Sequence, residues 1–72
     1  MAVTATIANV QKDSNGIRVF YRFNDGDDRS QLFPEDISRD QIISVIRREV
    51  SAKNDLERTV ESFRDLIGQE IG

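Results

Sequence analysis

The chain changes from strand-like to helical sequence within residues 33–42, Phe33-Pro34-Glu35-Asp36-Ile37-Ser38-Arg39-Asp40-Gln41-Ile42. The Ser38 hydroxyl can accept a hydrogen bond from a free backbone N–H of the first helical turn, and Gln41 can bond back to Ser38, which makes a capping box. Ile37 and Ile42 flank this cap at the spacing of a hydrophobic staple. Two independent signals therefore predict that a helix begins directly after Ser38.

Downstream of this cap, apolar residues recur at helical spacing almost to the end of the chain. At 100° per residue they lie within about 80° of Ile42 on either side. They are Ile42, Ile46, Val50, Leu56, Val60, Phe63, Ile67 and Ile71. We therefore predict a long C-terminal amphipathic helix from about Arg39 to about Ile67, ended by Gly68.

The middle of this stripe leaves an alternative open. Glu49 and Lys53 place charges within the apolar face, and Asn54 with Glu57 has the spacing of a second capping box. The alternative is therefore a kink near Lys53, or two helices that meet near Asn54.

Upstream of Pro34 the sequence has the two-residue period of β-strands and is punctuated by turn-forming residues. Val3, Ala5 and Ile7 alternate with threonines, and Asn15-Gly16 supplies two residues that tolerate positive φ. The predicted strands are Val3–Val10, Ile17–Phe23 and Arg29–Phe33, separated by turns at Lys12–Gly16 and Asn24–Asp28. The fold class is therefore α+β: one domain over residues 1–72, in which a β-hairpin or three-stranded meander precedes the helix.

The predicted helix is too long for the predicted sheet. A helix of about 29 residues measures roughly 43 Å, whereas a strand of seven residues spans about 23 Å. The far half of the apolar stripe would then have no intramolecular partner. We therefore expect this half to form a protein-interaction surface, made of Leu56, Val60, Phe63 and Ile67.

Phe20 is a further candidate for an interaction residue. It shares the polar face of the second strand with Arg18 and Arg22. A single apolar residue on such a face is often ordinary surface. The alternative is that this face meets a partner or the later helix.

Composition argues against most chemistry. The chain has no His and no Cys, so an ordinary base for a serine nucleophile and a thiolate ligand are both missing. Asp25, Asp27 and Asp28 do not have the spacing of a calcium loop. We expect no enzymatic activity, no metal and no cofactor. A net charge of −3 makes nucleic acid an improbable partner, and no apolar run approaches a membrane span.

The whole pattern resembles a family of short, poorly characterised proteins encoded in the structural-gene clusters of tailed phages and prophages. The resemblance rests on the opening Val-Thr-Ala-Thr-Ile, the hairpin end Tyr-Arg-Phe-Asn-Asp-Gly, the capped helix and the closing Leu66-Ile67-Gly68. It implies a role in virion or tail assembly, in the host cytoplasm or the virion, with no catalytic residues.

The predicted function is accordingly a non-enzymatic assembly or protein-interaction module that associates through its C-terminal helix, as a homo-oligomer or with another protein. A small domain has little core of its own, which adds to the benefit of association. The alternative is a small regulatory or inhibitory protein that binds a host enzyme.

Overall fold

The computed structural model describes residues 2–72 and confirms the predicted α+β fold, with three antiparallel strands followed by one C-terminal helix. The sheet has the order β1-β2-β3, so each strand pairs with its neighbour in sequence. The elements are β1 (Ala5–Asp13), β2 (Gly16–Phe23), β3 (Asp28–Phe33), α1 (Arg39–Ser62) and a short 3₁₀ helix (Arg64–Leu66).

The first hairpin closes one residue earlier than the Asn15-Gly16 prediction. Asp13 pairs with Gly16, so the two turn residues are Ser14 and Asn15. Among residues 2–72 only glycines have positive φ, and Gly16 has φ +146°. A Cβ at Gly16 would lie 2.1 Å from the carbonyl oxygen of Phe33, so glycine is needed where β2 passes the end of β3.

A β-bulge in β1 corrects the predicted pattern of that strand. Ile7 pairs with Tyr21, but the next pair joins Asn9 to Phe20, so Ala8 is an extra residue. The bulge moves Val10 onto the same face as Ile7, whereas strict alternation would have sent it to the opposite face. The strand then continues to Asp13, beyond the predicted end.

The helix begins as predicted, with both bonds of the capping box formed. Ser38 Oγ accepts from the Gln41 N–H at 3.2 Å, and Gln41 Oε1 accepts from the Ser38 N–H at 2.9 Å. The helix then runs without interruption to Ser62, so the alternative of a kink or break near Lys53 is wrong. A bend of 32° occurs instead near residue 63.

The hydrogen bonding changes where α1 ends, at Ser62 and not at the predicted Ile67. The Ser62 hydroxyl donates to the Thr59 carbonyl at 2.7 Å, the oxygen that the N–H of Phe63 would use in a continuing α-helix. The Phe63 N–H instead donates to the Val60 carbonyl at 3.0 Å, which tightens the chain into the 3₁₀ turn. Gly68, with φ +87°, follows that turn.

The core lies between α1 and the inner face of the sheet. It is built around a row of β2 side chains with one contribution each from β3 and the helix. The buried residues are Val19, Tyr21, Phe23, Phe33 and Ile46. The helix therefore lies over the central strand β2 and also contacts β1, on which Ile7 and Val10 nevertheless remain about half exposed.

Candidate protein-interaction site

The docked half of the helix is held by charges that flank the core. Lys53 Nζ lies 2.8 Å from Asp25 Oδ2, 3.1 Å from Asp27 Oδ2 and 4.5 Å from the centre of the Phe23 ring. The hydrogen bonds from this ammonium group hold the pKa values of the Asp25 and Asp27 carboxyls below the ordinary aspartate value of 3.8. The lysine that seemed to interrupt the apolar stripe therefore fixes the helix to the turn between β2 and β3.

A second polar contact lies one turn earlier. The Tyr21 hydroxyl donates a hydrogen bond to the Glu49 carboxylate, which also lies 3.6 Å from Arg29 Nη1. Burial of the phenol, followed by this bond to an anion, raises the pKa of Tyr21 to about 12. The other charge in the stripe, Glu49, thus also serves packing against the sheet.

Asn54 bonds the helix to Val3, which precedes β1. Its Oδ1 accepts from the Val3 N–H at 2.8 Å, and its Nδ2 donates to the Val3 carbonyl at 3.1 Å. The side-chain amide thus satisfies the peptide groups of Val3 as a neighbouring strand would. The alternative of a second capping box between Asn54 and Glu57 is wrong, because Asn54 lies inside the uninterrupted helix and its side chain is bonded to Val3.

Beyond Asn54 none of the described residues covers the helix. We call residues 55–72 the distal segment. Its four predicted interaction residues, Leu56, Val60, Phe63 and Ile67, keep 48–78% of their surface exposed. Leu66 and Ile71 are also exposed. The length mismatch inferred from the sequence is thus present, and the molecule measures 56 × 23 × 19 Å.

Phe20 lies elsewhere. It is half-buried on the outer face of β2, opposite the face that carries Tyr21 and the helix. The four distal residues therefore share one segment, and Phe20 is separated from them by the thickness of the sheet. That outer face does not meet α1, which removes one of the two alternatives to ordinary surface.

A second exposed apolar surface lies between β1 and the helix. We call it the β1 groove, and its walls are Ile7 and Val10 on the strand and Ile43 and Val50 on the helix. Ile7 and Val10 are 46% and 57% exposed although they face the same side of the sheet as the buried core. Sequence reasoning missed this groove, because the bulge at Ala8 brings Val10 onto the inner face.

Two arginines, Arg39 and Arg47, line the rim of the β1 groove. Neither forms a salt bridge with an acidic side chain among residues 2–72. The groove therefore combines an apolar floor with positive charge at its edge.

Other kinds of site find no support in the part of the chain that the structure describes. Residues 2–72 contain no group of three or more side chains placed to hold a metal ion. No helix within them is both long and apolar enough to cross a membrane. Comparisons with protein families, curated proteins and solved structures find no match.

Proposed function

We propose that this chain is a non-enzymatic protein-interaction module that assembles with copies of itself through the distal segment. The observation that carries the proposal is the exposure of Leu56 and Val60 at the end of α1, of Phe63 at its C-cap and of Ile67 after the 3₁₀ turn. Contiguous exposed apolar surface of this kind is typical of protein–protein contacts.

The energetics favour association without making it strong. Full burial of one large apolar side chain is worth about 1.5–3 kcal/mol, so two copies that cover the exposed part of these four residues would gain about 7–14 kcal/mol. Association itself costs about 4–15 kcal/mol. A dimer held only by the distal segments would therefore be weak, and further buried surface would strengthen it.

The resemblance to small proteins of phage structural-gene clusters suggests virion or tail assembly as the setting. Assembly proteins work through repeated contacts between copies, which suits a domain whose helix extends past its own sheet. The location we propose is the host cytoplasm or the virion.

Light scattering after size-exclusion chromatography, over a hundredfold range of concentration, tests the proposal. We expect the wild-type mass to rise to that of a dimer or larger ring. The variant Leu56→Asp plus Phe63→Asp should stay monomeric with unchanged circular dichroism, because both positions are exposed. Ser44→Asp plus Ser51→Asp adds the same charge at other exposed helix positions and should associate like the wild type.

Two results would contradict the proposal. One is a wild-type mass that stays monomeric at every concentration, which would favour the alternative of a regulatory or inhibitory protein that binds a host enzyme. The other is a distal variant that associates and folds as well as the wild type.

A further inference from the structure

We infer, on the basis of the self-association proposed above, that two copies pair through their distal segments in antiparallel orientation. Val60 of each copy lies beside Phe63 of the other. On one side of this contact, Glu57 of each copy lies beside Arg64 of the other. The pairing closes about a two-fold axis, so two copies cover both distal segments at once.

The exposed stripe of the distal segment points to the same side of the helix as the stripe that packs on the sheet. At 100° per residue, Leu56 and Phe63 lie within about 60° of the direction of Ile42, which packs against the core. Beneath residues 42–53 the space on this side is filled by the sheet. Beneath residues 55–63, all of them exposed, the described chain leaves the corresponding space open for a second helix.

This arrangement excludes a parallel pair. In a parallel pair equivalent residues lie at the same level, so residues 42–53 of the second copy would enter the space that the first copy's sheet fills. An antiparallel second helix runs away from that sheet, and only the two distal segments overlap. Their axes can then approach to the usual 8–10 Å.

The end of the sheet limits how far the two segments slide past each other. Asn54 is bonded to Val3, so the second copy's 3₁₀ turn, which ends at Leu66, can reach no further than about residue 55. Residue 66 beside residue 55 would put the two-fold axis between residues 60 and 61, so the axis lies there or further along the helix. Val60 beside Phe63, with the axis between residues 61 and 62, is the first pairing of two stripe residues that meets this limit.

The same register accounts for the other two predicted interaction residues. Leu56 comes to the level of Ile67 of the second copy, because this pair is also centred between residues 61 and 62. Ile67 directly follows the 3₁₀ turn, so the turn brings apolar chain to the end of the contact. One register therefore covers the whole exposed stripe from residue 56 to residue 67.

Charge complementarity favours this register. Glu57 and Arg64 lie on the same side of the stripe, about 90° and 70° from its centre. The two-fold axis brings equal sides together, so Glu57 lies within about two residues, or 3 Å along the helix, of Arg64 of the second copy. The other distal carboxylates of the helix and the turn, Asp55, Glu61 and Asp65, lie more than about 100° from the centre of the stripe and point away from the contact.

Glu57 is available for such a pair. It forms no salt bridge with any of residues 2–72, whereas Arg64 pairs with the exposed Glu61 at 2.6 Å. In the dimer each Arg64 would lie between Glu61 of its own chain and Glu57 of the second copy. Each contact thus gains two intermolecular ion pairs.

Spin labelling tests the orientation. The chain has no cysteine and residue 51 is exposed, so labelled Ser51→Cys carries one nitroxide per copy. Residue 51 lies ten to eleven residues from the proposed axis, so pulsed electron–electron resonance should give a separation of about 30 Å or more. Labels at the same level of two adjacent helices would be less than about 25 Å apart. Light scattering checks that the labelled chain associates like the wild type.

A charge swap tests the register. Glu57→Arg and Arg64→Glu should each weaken dimerisation about threefold or more, because each sets like charges together at two places in the dimer. Both substitutions in one chain restore the ion pairs in reverse. The dissociation constant of this double variant, measured by analytical ultracentrifugation, should return to within about twofold of the wild type.

Arg58→Glu is the matched control for Arg64→Glu. Both arginines are exposed, and each pairs with the carboxylate three residues before it, so the two variants lose the same kind of intramolecular contact and change the net charge equally. Arg58 lies on the side of the helix opposite the stripe. Arg58→Glu should therefore weaken dimerisation less than Arg64→Glu.

The outcomes separate this inference from the proposed function. A label separation below about 25 Å in a chain that still dimerises would overturn the antiparallel pairing and leave self-association standing. A double variant that stays as weak as the single variants, or an equal loss for Arg58→Glu and Arg64→Glu, would overturn the register in the same way. A wild-type chain that is monomeric at every concentration would overturn both proposals.

Discussion

The two halves of α1 carry similar apolar stripes, but only the first half is buried against the sheet. Residues 39–54 are packed against the sheet and held by Lys53 and Asn54, whereas residues 55–62 are exposed. The difference lies in the length of the strands and not in the pattern of the helix. An amphipathic stripe therefore indicates that a surface will be buried, but the partner must be found from the dimensions of the rest of the fold.

Two alanine substitutions should separate the halves most strongly. Phe23→Ala removes a fully buried ring and should lower the free energy of unfolding by about 3–5 kcal/mol. Phe63→Ala removes an exposed ring and should change it by less than about 0.5 kcal/mol. Urea denaturation followed by circular dichroism at low protein concentration measures both.

The comparison would fail if the two substitutions lowered the free energy of unfolding by similar amounts. Equal costs would mean that the distal segment folds back onto the domain in solution. Concentration dependence of the Phe63→Ala effect would instead assign its cost to association.

The next effect concerns the boundary between the halves. Asn54→Ala removes both bonds to Val3 and should lower the free energy of unfolding by about 1–3 kcal/mol. Asn54→Asp keeps the acceptor for the Val3 N–H but sets a carboxylate against the Val3 carbonyl, so it should recover only part of the loss. Thermal unfolding of both variants checks the order, and equal stability of the wild type and Asn54→Ala would refute it.

A smaller effect is expected at the start of the docked half. Ser38→Ala leaves the Gln41 N–H without its cap and should cost about 1 kcal/mol. Ser62→Ala removes a hydroxyl at the opposite end of α1, where it competes with the helix, and should cost less or even extend the helix. Circular dichroism and urea denaturation compare the two, and a larger loss for Ser62→Ala would contradict the expectation.

The last prediction concerns pH. Lys53 lowers the pKa of Asp25 and Asp27 in the folded state, so their contribution to stability is fully present above the ordinary carboxyl pKa of 3.8. It is lost as the pH falls through the lowered values, because the carboxyls must then take up protons.

Lys53→Met should therefore flatten the fall in melting temperature between about pH 6 and pH 2. Arg48→Met removes an exposed positive charge that forms no salt bridge with the described residues, so it is the control and should leave the pH profile unchanged. Parallel pH profiles for the wild type and Lys53→Met would show that the pairing does not stabilise the fold.

Local signals in the sequence account for most of the fold. The capping box at Ser38, the two turns and the alternation of β2 depend on neighbouring residues and appear at about the predicted positions, whereas the period of β1 holds only as far as its bulge. The uncovered half of the helix followed from lengths alone. These features need no knowledge of distant contacts.

The features that were not predicted depend on residues far apart in sequence. From its neighbours in sequence, Asn54 has the pattern of a helix-capping residue. Its bond to Val3 depends on the folded arrangement of the chain. Likewise, in the sequence Lys53 interrupts the apolar stripe of the helix. In the fold its ammonium group pairs with Asp25 and Asp27. The sequence signal for the bulge is the three-position spacing of the apolar residues Ile7 and Val10, where strict alternation would give two or four.

The bond between Asn54 and Val3 joins residues 51 positions apart, and this separation has a consequence in time. During synthesis at roughly 5–20 residues per second, Val3 precedes Asn54 by about 3–10 s. Throughout that interval the inner face of the sheet has no helix to cover it. The nascent strands must therefore remain unpaired or find temporary protection, and the chain reaches its native arrangement only after most of it has been made.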